Sequence, residues 1–569
     1  MSRTVPIPCL SSLSLVAALA AQASLAAQAP PATVLQELPL GGLVMPFDVV
    51  PLFPGSFARV RGEDSSVGFA EDCFGTIGGD RLVALLRDEI GDEQLAQSSI
   101  DFNATRGSIF VRAPEDMTRK AAGLLGWLER IVARPLQIDV TVYAVDGEIA
   151  DPRGSYGPGE LRKLAGLRPL WSSSTPTAVH RPLGVENRAV RAVLLDYDVE
   201  VAQKADISDP RISELMTGLR AGVLPFAFSA GDDIGLVIDL AYAIRVDDGE
   251  QVSTGLEQQG TLDAPRLRSF VAAFSGRIKD GGSLVAWSLG DEKLGLRTAI
   301  EISARWRAPA APAREDLAVL PVAFATGRLE TRDDMGGDED DGSGTAYGAG
   351  RGERLRSRRP DLQFDELAMM GQDAIGDLDR ARLLISQLGP WLVVRGAPAD
   401  VAAARAAVAR LVDEAATQAD LVFETKIGGS GEVLHALVAP GLTGMPVHLR
   451  RGEDGWRIHD FDVEIAQSSA VANPFVRRWF AGVSAAGLSS RRLGGLGASA
   501  RVELVTRGAT QRRGLETDFG GAFDATLFES ATLGLDAAVE RGATHTLGEG
   551  PSLVRGNGSV RTAQSVTVR

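Results

Sequence analysis

The fold is decided by a stretch that the chain carries twice: Asp196-Tyr197-Asp198-Val199-Glu200-Val201-Ala202-Gln203 and Asp460-Phe461-Asp462-Val463-Glu464-Ile465-Ala466-Gln467. The two stretches lie 264 residues apart, as the step from Asp196 to Asp460 shows. Continued without a gap, the same offset aligns two pairs of turn-forming residues: Pro210 with Pro474, and Gly218 with Gly482. Such agreement at one offset indicates an internal repeat, so the sequence predicts two related halves.

A second pair of related stretches lies upstream in each half: Ser108-Ile109-Phe110-Val111-Arg112-Ala113-Pro114-Glu115-Asp116 and Trp391-Leu392-Val393-Val394-Arg395-Gly396-Ala397-Pro398-Ala399-Asp400. Each has a short β-branched run and then a proline, which suits the first turn of a helix because its missing N–H is not needed there. Apolar residues at helical spacing follow, and then an alternating strand, at 136–145 and 421–427. The pattern predicts a strand-helix-strand module in each half, with further short helices at 82–90 and 378–388.

Each module is followed by a long segment rich in strand-forming residues and in Gly-Asp and Asp-Gly turns, which favours antiparallel β structure. The predicted fold class is therefore α+β: a tandem duplication in which each half is a small α/β module (strand-helix-strand) followed by an antiparallel β-rich domain. The predicted boundaries are a signal peptide at 1–29, module 1 at 40–150, β-rich domain 1 at 151–307, a flexible Gly/acidic/Arg linker at 308–360, module 2 at 361–427 and β-rich domain 2 at 428–569.

Composition excludes several classes of protein. The chain has 569 residues and 44% hydrophobic residues, enough for the cores of several domains. Its formal net charge of −15 argues against a nucleic-acid binder, which normally carries a basic face. Two cysteines and five histidines, with no H-E-x-x-H pair, exclude a multi-disulfide scaffold and a Cys-rich metal cluster. We therefore expect no cofactor and no metal.

The first 29 residues have the layout of a secretory signal peptide. Arg3 supplies a positive charge near the start, and an apolar stretch runs from Leu10 to about Ala21. Two small-residue motifs typical of a cleavage site follow, Ala21-Gln22-Ala23 and Ala27-Gln28-Ala29. No later segment has the roughly 18 uninterrupted apolar residues that a membrane-spanning helix needs. The sequence predicts export to the periplasm or cell envelope.

The strand-proline-helix stretches of both halves resemble the N-terminal ring modules of bacterial secretins from type II and type III secretion and type IV pilus systems. The matching residues are Phe110-Val111-Arg112-Ala113-Pro114-Glu115-Asp116 and Val394-Arg395-Gly396-Ala397-Pro398-Ala399-Asp400-Val401. Leu136–Val145 resembles the entry into the secretin β domain, and Lys279–Val285 a hairpin in its middle. The closing Val-Pro, Ile-Pro and Gly-x-Leu-Phe residues of the family are not matched. The resemblance implies a degenerate, internally duplicated secretin-related protein.

Patterns that would indicate catalysis are weak. Ala286-Trp287-Ser288-Leu289-Gly290 loosely matches the turn that presents a nucleophilic serine, but no helix is predicted after it. Gly495-Leu496-Gly497-Ala498-Ser499-Ala500 matches G-x-G-x-x-A, but a strand is predicted to follow, which favours a turn over a dinucleotide site. We therefore expect no enzyme. An exported all-β hydrolase that uses Ser288 is the alternative from another class.

The repeated stretch places three carboxylates on alternate residues in each half: Asp196, Asp198 and Glu200, and Asp460, Asp462 and Glu464. In a strand, this alternation puts each trio on one face and apolar residues on the other. Neighbouring carboxylates repel unless they are partnered. Three interpretations stay open: a structural ladder paired with arginines such as Arg245 or Arg457, a docking surface for a partner protein, or a cation site.

The leading functional hypothesis is an exported, non-enzymatic, secretin-related envelope protein that acts by protein–protein interaction. Its partners would be other proteins or further copies of itself, with no nucleic acid. The alternative is a ring-forming component of a secretion or pilus system with a diverged pore segment, associated with the outer membrane.

Overall fold

The structure is a computed structural model in which strands dominate: they make up 67% of the described part of the chain, against 14% for helices. The predicted α+β class is therefore wrong, and the protein is mostly β, with several antiparallel sheets. The predicted signal peptide and most of the predicted linker lie outside the described residues. These are 33–40, 43, 53–54, 58–59, 66–67, 79–90, 98–103, 106–202, 205–228, 232–247, 250–254, 260–322, 383–388, 391–466, 469–492, 495–514, 521–555 and 558–569.

One compact unit comprises Met1–Pro46 and Ile77–Glu129. Its described part contains a three-stranded antiparallel sheet, made of β1 (Thr33–Pro39), β6 (Ser108–Pro114) and β5 (Ser99–Asn103) in that order, and the helices α1 (Gly79–Ile90) and α2 (Glu115–Val132). Helix α2 begins where the sequence predicts it, directly after Pro114. Glu115 and Asp116 in its first turn favour the positive end of the helix dipole, and the Thr118 hydroxyl donates to the Pro114 carbonyl at 3.2 Å.

The second unit comprises Phe47–Thr76 and Arg130–Arg569. Its described part is built on two wide antiparallel sheets. The first, sheet I, pairs these strands in this order: β10 (Leu183–Ala202), β11 (Ala205–Ala227), β12 (Ile234–Arg245), β15 (Arg266–Ile278), β23 (Pro446–Ala466), β24 (Ser469–Arg492), β25 (Gly495–Gly514) and β26 (Ala522–Val539), with β3 (Ala58–Arg59) beside β11.

The second wide sheet, sheet II, is also antiparallel. It pairs these strands in this order: β27 (Thr544–Arg555), β28 (Gly558–Val568), β21 (Gln418–Ile427), β22 (Val433–Leu442), β16 (Ser283–Gly290), β17 (Thr298–Trp306), β7 (Pro135–Val145) and β9 (Leu167–Ala178), with β8 (Ser155–Tyr156) beside β16.

Smaller sheets complete the described part of this unit. The largest has the order β18 (Leu317–Pro321), β20 (Trp391–Gly396) and β19 (Leu383–Leu388), and helix α3 (Pro398–Ala415) packs on β18 and β20. Two strand pairs remain: β13 (Glu250–Ser253) with β14 (Thr261–Ala264), and β2 (Phe53–Pro54) with β4 (Ser66–Val67). Strand β18 lies inside the segment predicted to be a flexible linker.

Each predicted strand-helix-strand segment occurs in chain order, but its two strands belong to different sheets. Strand β6 precedes α2 in the first unit, whereas β7 is an inner strand of sheet II. Strand β20 precedes α3 beside β18 and β19, whereas β21 lies in sheet II. Residues 383–388, expected to be helical, form β19. The predicted modules are wrong because a local pattern indicates the type of an element, while its partner strand is chosen by long-range pairing.

Apart from β3 and β8, each wide sheet takes four strands from each half of the chain. Sheet I takes β10, β11, β12 and β15 from the first half and β23 to β26 from the second. Sheet II takes β16, β17, β7 and β9 from the first half and β27, β28, β21 and β22 from the second. Within the two wide sheets the halves pair where β15 lies beside β23 and where β16 lies beside β22, and we call these two junctions the seam.

The hairpins β10–β11 and β23–β24 have the same register: each residue pair of the first hairpin corresponds to the pair of the second whose residue numbers are 264 higher. Each is interrupted by a bulge, between Leu194 and Asp196 in one and between Ile458 and Asp460 in the other. After the bulge the aspartate Oδ1 accepts a hydrogen bond from the next backbone N–H, at 2.9 Å in both hairpins. The repeated sequence therefore has a repeated backbone geometry.

Candidate functional site

The seam is the place where two parts of the chain, far apart in sequence, bind each other through sheet edges. In sheet I, Arg266–Ala273 pairs antiparallel with His448–Gly455. In sheet II, Trp287–Gly290 pairs with His435–Val438. Most of these residues are buried, and Trp287 is fully so. The geometry is that of strand addition to an exposed edge, with backbone hydrogen bonds for affinity and side chains for register.

A buried carboxylate joins the halves in sheet I. Asp454 of β23 is fully buried and accepts hydrogen bonds from Arg450 at 2.6 Å, from Arg478 at 3.0 Å and from the hydroxyl of Ser269, which belongs to the first half. Burial by itself raises the pKa of the Asp454 carboxyl. The positive charges of Arg450 and Arg478 and the hydrogen bond from Ser269 outweigh burial and hold the pKa below its ordinary value. Asp454 therefore stays charged inside the seam.

A buried arginine also joins the two halves, beside sheet II. Arg451 is fully buried, and its guanidinium donates to carbonyl oxygens of the first half, those of Asp291, Gly295 and Leu296, at 2.7 to 3.1 Å. It also lies 2.6 Å from Nδ1 of His435. Burial, and then the charge of Arg451, hold the pKa of His435 well below its usual value, so the ring is neutral and its Nδ1 accepts.

Further ion pairs and a carboxylate cap also join the two halves. Arg266 lies 2.6 Å from Glu453, and Arg277 of β15 lies 2.8 Å from Asp413 of α3. The backbone N–H of Gly154 donates to Asp420 at 2.7 Å. Each of these contacts joins the first half to the second. Since the seam buries apolar surface and gives its buried carboxylate three hydrogen bonds, it is a specific contact rather than a loose one.

The acidic strands lie at equivalent positions of the two long hairpins, just past each bulge. Asp196 stands opposite Arg211 across the ladder, and Asp460 stands opposite Phe475. The side chains of the other four residues lie outside the described part: Asp198, Glu200, Asp462 and Glu464. Among the described residues, no three His, Cys, Asp or Glu side chains are grouped to hold a metal ion. The three interpretations of these strands stay predictions.

The residues singled out for chemistry lie inside strands. Ser288 belongs to β16 at the seam, is fully buried, and donates its hydroxyl to the Leu296 carbonyl at 2.5 Å. Gly495 begins β25, so the glycine-rich stretch expected to be a turn runs along a strand. Within the described residues no helix is long and apolar enough to cross a membrane.

Sequence reasoning missed the seam residues, although one signal was present. Arg450-Arg451-Gly452-Glu453-Asp454 places four charged residues in the middle of a strand that is apolar on both sides, at Leu449 and Trp456. Charges in such a position are buried only when they are partnered, so they mark a contact with another element. Their partners, from Ser269 to Leu296, could not be identified without the pairing of β15 with β23.

No protein-family model matches the sequence, and no curated protein matches it either. Among solved structures, the chain is similar to the secretin InvG of the Salmonella SPI-1 injectisome, with 13% identity and a TM-score of 0.24, over 50% of this chain and 90% of that chain. It is similar to the type IV competence pilus secretin PilQ of V. cholerae, with 12% identity and a TM-score of 0.20, over 52% of this chain and 82% of that chain.

A third similar structure is the type II secretion system secretin GspD of E. coli K12, with 10% identity and a TM-score of 0.22, over 51% of this chain and 64% of that chain. The three solved structures named here are secretins, the family that the sequence resemblance suggested, and the likeness is coarse. At these scores we base no further step on it.

Proposed function

We propose that the protein is a non-enzymatic component of a secretion or pilus system in the bacterial envelope, and that it acts by pairing its sheet edges with other protein chains. The observation that carries the proposal is the seam. There, two segments far apart in the sequence already associate by edge pairing in sheet I and in sheet II, around the buried Asp454 and Arg451. Strand addition is thus a binding mode that this fold already uses within one chain.

The outer strands of both sheets offer the same kind of edge. Among the described residues β10 and β26 end sheet I, and β9 and β27 end sheet II. Exposed sheet edges present unpaired backbone donors and acceptors and favour pairing with another chain unless they are protected. The sequence resemblance of Phe110–Asp116 and Val394–Val401 to secretin ring modules supports a role in the envelope.

A proline on β10 tests the proposal. The N–H of Leu194 points away from β11, because it donates to Asp263 at 2.8 Å. Alternate residues back along the strand, including Val190, therefore point their N–H outward too. Val190→Pro removes one outward donor and leaves the β11 ladder intact, whereas Val190→Thr keeps the donor.

The measurement is the native mass of the protein extracted from the envelope fraction, by gel filtration with light scattering. We expect the wild type and Val190→Thr to exceed the mass of one chain, and Val190→Pro to fall towards it. A single-chain mass for the wild type, or an unchanged mass for Val190→Pro, would contradict the proposal.

A further inference from the structure

We infer that a cleft between sheets I and II, beside β9 and β10, is a binding site for an uncharged sugar ring. The inference goes beyond the proposed function, because it concerns a small ligand in a cleft rather than the pairing of sheet edges. It rests on the chemistry of the side chains that line the cleft and on the contrast with the equivalent place in the second half of the chain.

The cleft has a volume of about 370 Å³ and is open to solvent. Its floor is a face of sheet I on which Asn187 of β10, Leu219 of β11 and Tyr242 of β12 stand side by side in the ladders. Its wall is β9 of sheet II, with Leu170 and Trp171. Small-molecule sites commonly have volumes of roughly 300 to 1,000 Å³, so the cleft is large enough for one.

Two aromatic side chains give the cleft its apolar surface. Trp171 stands opposite Val142 in the β7–β9 ladder and Tyr242 stands opposite Leu219, so the two rings come from different sheets. Both side chains are half-buried, and within the described part of the chain neither ring packs against another aromatic ring. Leu170, the extra residue of a bulge in β9, is 46% exposed beside them. These apolar faces are available to a ligand.

Three polar side chains of the cleft have hydrogen-bonding groups that the fold does not use: the amide of Asn187 and the hydroxyls of Thr217 and Tyr242. Among the described residues none of these three groups has a hydrogen-bond partner. Burial raises the pKa of Tyr242, so its hydroxyl stays protonated at neutral pH and can both donate and accept. A few polar groups in a concave, mostly apolar site are what fix the orientation of a ligand.

The charged side chains at the rim are already engaged elsewhere. Nε of Arg188 lies 3.4 Å from a carboxylate oxygen of Glu186, and Arg245 donates to the backbone carbonyl of Asp247. No carboxylate lines the cleft within the described residues. The surface therefore suits a ligand without charge.

An uncharged sugar ring matches this set of groups. Such a ring has a face of C–H groups, which packs on aromatic rings, and a rim of hydroxyls, which donate and accept hydrogen bonds. Trp171 and Tyr242 would contact the face, and Asn187 and Thr217 would bind hydroxyls. A purely apolar ligand would cover these polar groups without giving them partners, which costs free energy.

The second half of the chain has no such set at the equivalent place. In the ladders, the positions equivalent to Asn187, Thr217 and Tyr242 are Arg451, Ala481 and Leu504. Arg451 and Leu504 are buried, and the Arg451 guanidinium donates to the Leu296 carbonyl of the first half at 2.9 Å. The same face is thus closed in the second half, whereas in the first half it is open, aromatic and polar.

Calorimetric titration of the full chain, extracted from the envelope, tests the site with three oligosaccharides. Chitotriose and maltotriose are uncharged, the first with N-acetyl groups and the second without. We expect at least one of these two to bind, with one molecule per chain, and to change the tryptophan fluorescence. Trigalacturonate carries carboxylates and should bind about 10-fold more weakly than the better neutral probe, because its charge would lie against apolar surface.

Small substitutions in the cleft separate binding from folding. Tyr242→Phe and Asn187→Ala each remove one group that the fold does not use, so both variants should keep the wild-type melting temperature and bind roughly 3- to 10-fold more weakly. Trp171→Phe keeps an aromatic face, so binding should persist while most of the fluorescence change is lost. Leu527→Ala is the matched control, since it shortens an exposed apolar side chain outside the cleft and should leave the affinity unchanged.

Absence of binding by both neutral probes would overturn the inference, and so would an affinity that neither Tyr242→Phe nor Asn187→Ala lowers. Tighter binding of trigalacturonate than of the neutral probes would overturn the uncharged class of ligand. None of these results bears on the native mass of the Val190 variants, so failure of the sugar site and failure of the proposed function are told apart.

Discussion

At the scale of single residues, the seam depends on a buried carboxylate that has charged partners. Asp454 is fully buried, while its partners Arg450 and Arg478 are each about a quarter exposed. A buried ion pair contributes little compared with an apolar replacement, but removing one partner leaves an uncompensated charge. The carboxylate of Asp454 is therefore the residue whose loss should weaken the seam most.

Asp454→Asn should lower the free energy of unfolding by about 3 kcal/mol, since two arginines lose their counter-charge in the interior. Urea unfolding followed by tryptophan fluorescence measures this change. Glu115→Gln, which breaks the exposed Glu115–Arg119 pair, is the control and should leave the midpoint unchanged. Equal midpoints for the two variants would show that Asp454 does not hold the halves together.

His180 makes stability depend on pH. Burial lowers the pKa of its ring to about 3, and the ring packs edge-on against Trp391 with the centroids 5.0 Å apart. Among described atoms neither ring nitrogen has a hydrogen-bond partner. The unfolded chain takes up a proton at His180 near pH 6.5 and the folded chain does not. The contribution of His180 to stability is therefore complete above pH 6.5 and is lost as the pH drops towards 3.

Between pH 7 and pH 5 this histidine should lower the free energy of unfolding by about 2 kcal/mol, because pH 5 lies about 1.5 units below the pKa of the unfolded chain. His180→Asn removes the titrating ring, and asparagine tolerates the positive φ of 57° found at this position. Thermal unfolding of both proteins at the two pH values measures the difference. The same pH dependence in wild type and variant would mean that the ring does not titrate as inferred.

At the scale of elements, the long hairpins of sheet I owe their close strand approach to glycine. Gly218 of β11 stands opposite Arg188 of β10 and has φ of 104°. A Cβ there would lie 2.0 Å from the Asn187 carbonyl oxygen. Gly482 occupies the equivalent place, where a Cβ would lie 2.2 Å from the Arg451 carbonyl oxygen. The close approach of the two backbones thus explains why glycine occupies the equivalent position in both hairpins.

Gly218→Ala should destabilise the protein by about 3 kcal/mol, since it adds a backbone clash to an unfavourable φ. Gly534→Ala in β26 is the control, because its Cβ would meet nothing closer than the Ala500 carbonyl oxygen at 3.5 Å. Calorimetric melting temperatures compare the two variants. If both melted alike, the close approach of β10 and β11 would not constrain residue 218.

At the scale of the whole molecule, the seam continues each wide sheet from one half of the chain into the other. Its backbone pairing, buried Asp454 and Arg451, and surrounding ion pairs are all non-covalent. The halves should therefore stay together when the chain between them is cut.

A protease site inserted between Gly342 and Ser343 tests this. After cleavage we expect the two fragments to elute together in gel filtration and to separate only in denaturant. Adding Asp454→Asn should lower the denaturant concentration at which they separate. Fragments that part in buffer would show that the linker, and not the seam, holds the halves together.

Several elements were predictable because their signals are local. Pro114 with two following acidic residues predicted the start of α2, and alternating apolar residues predicted β7 and β21. The repeated acidic stretch predicted equivalent strands, and both lie just past equivalent bulges. The fold class was wrong because the extent of strand in the second half and the sheet that each strand joins are not local properties.

The sequence by itself determined the strands in which apolar residues alternate, such as β7 and β21, and it predicted a repeated plan. Only the tertiary structure decided that the two halves share both wide sheets, that Asp454 and Arg451 are buried between them, and which edges are left open. The physical reason is that the spacing of apolar side chains sets the faces of a strand, while the backbone hydrogen bonds between strands are nearly the same for every residue type. The choice of partner strand is made by packing over hundreds of residues.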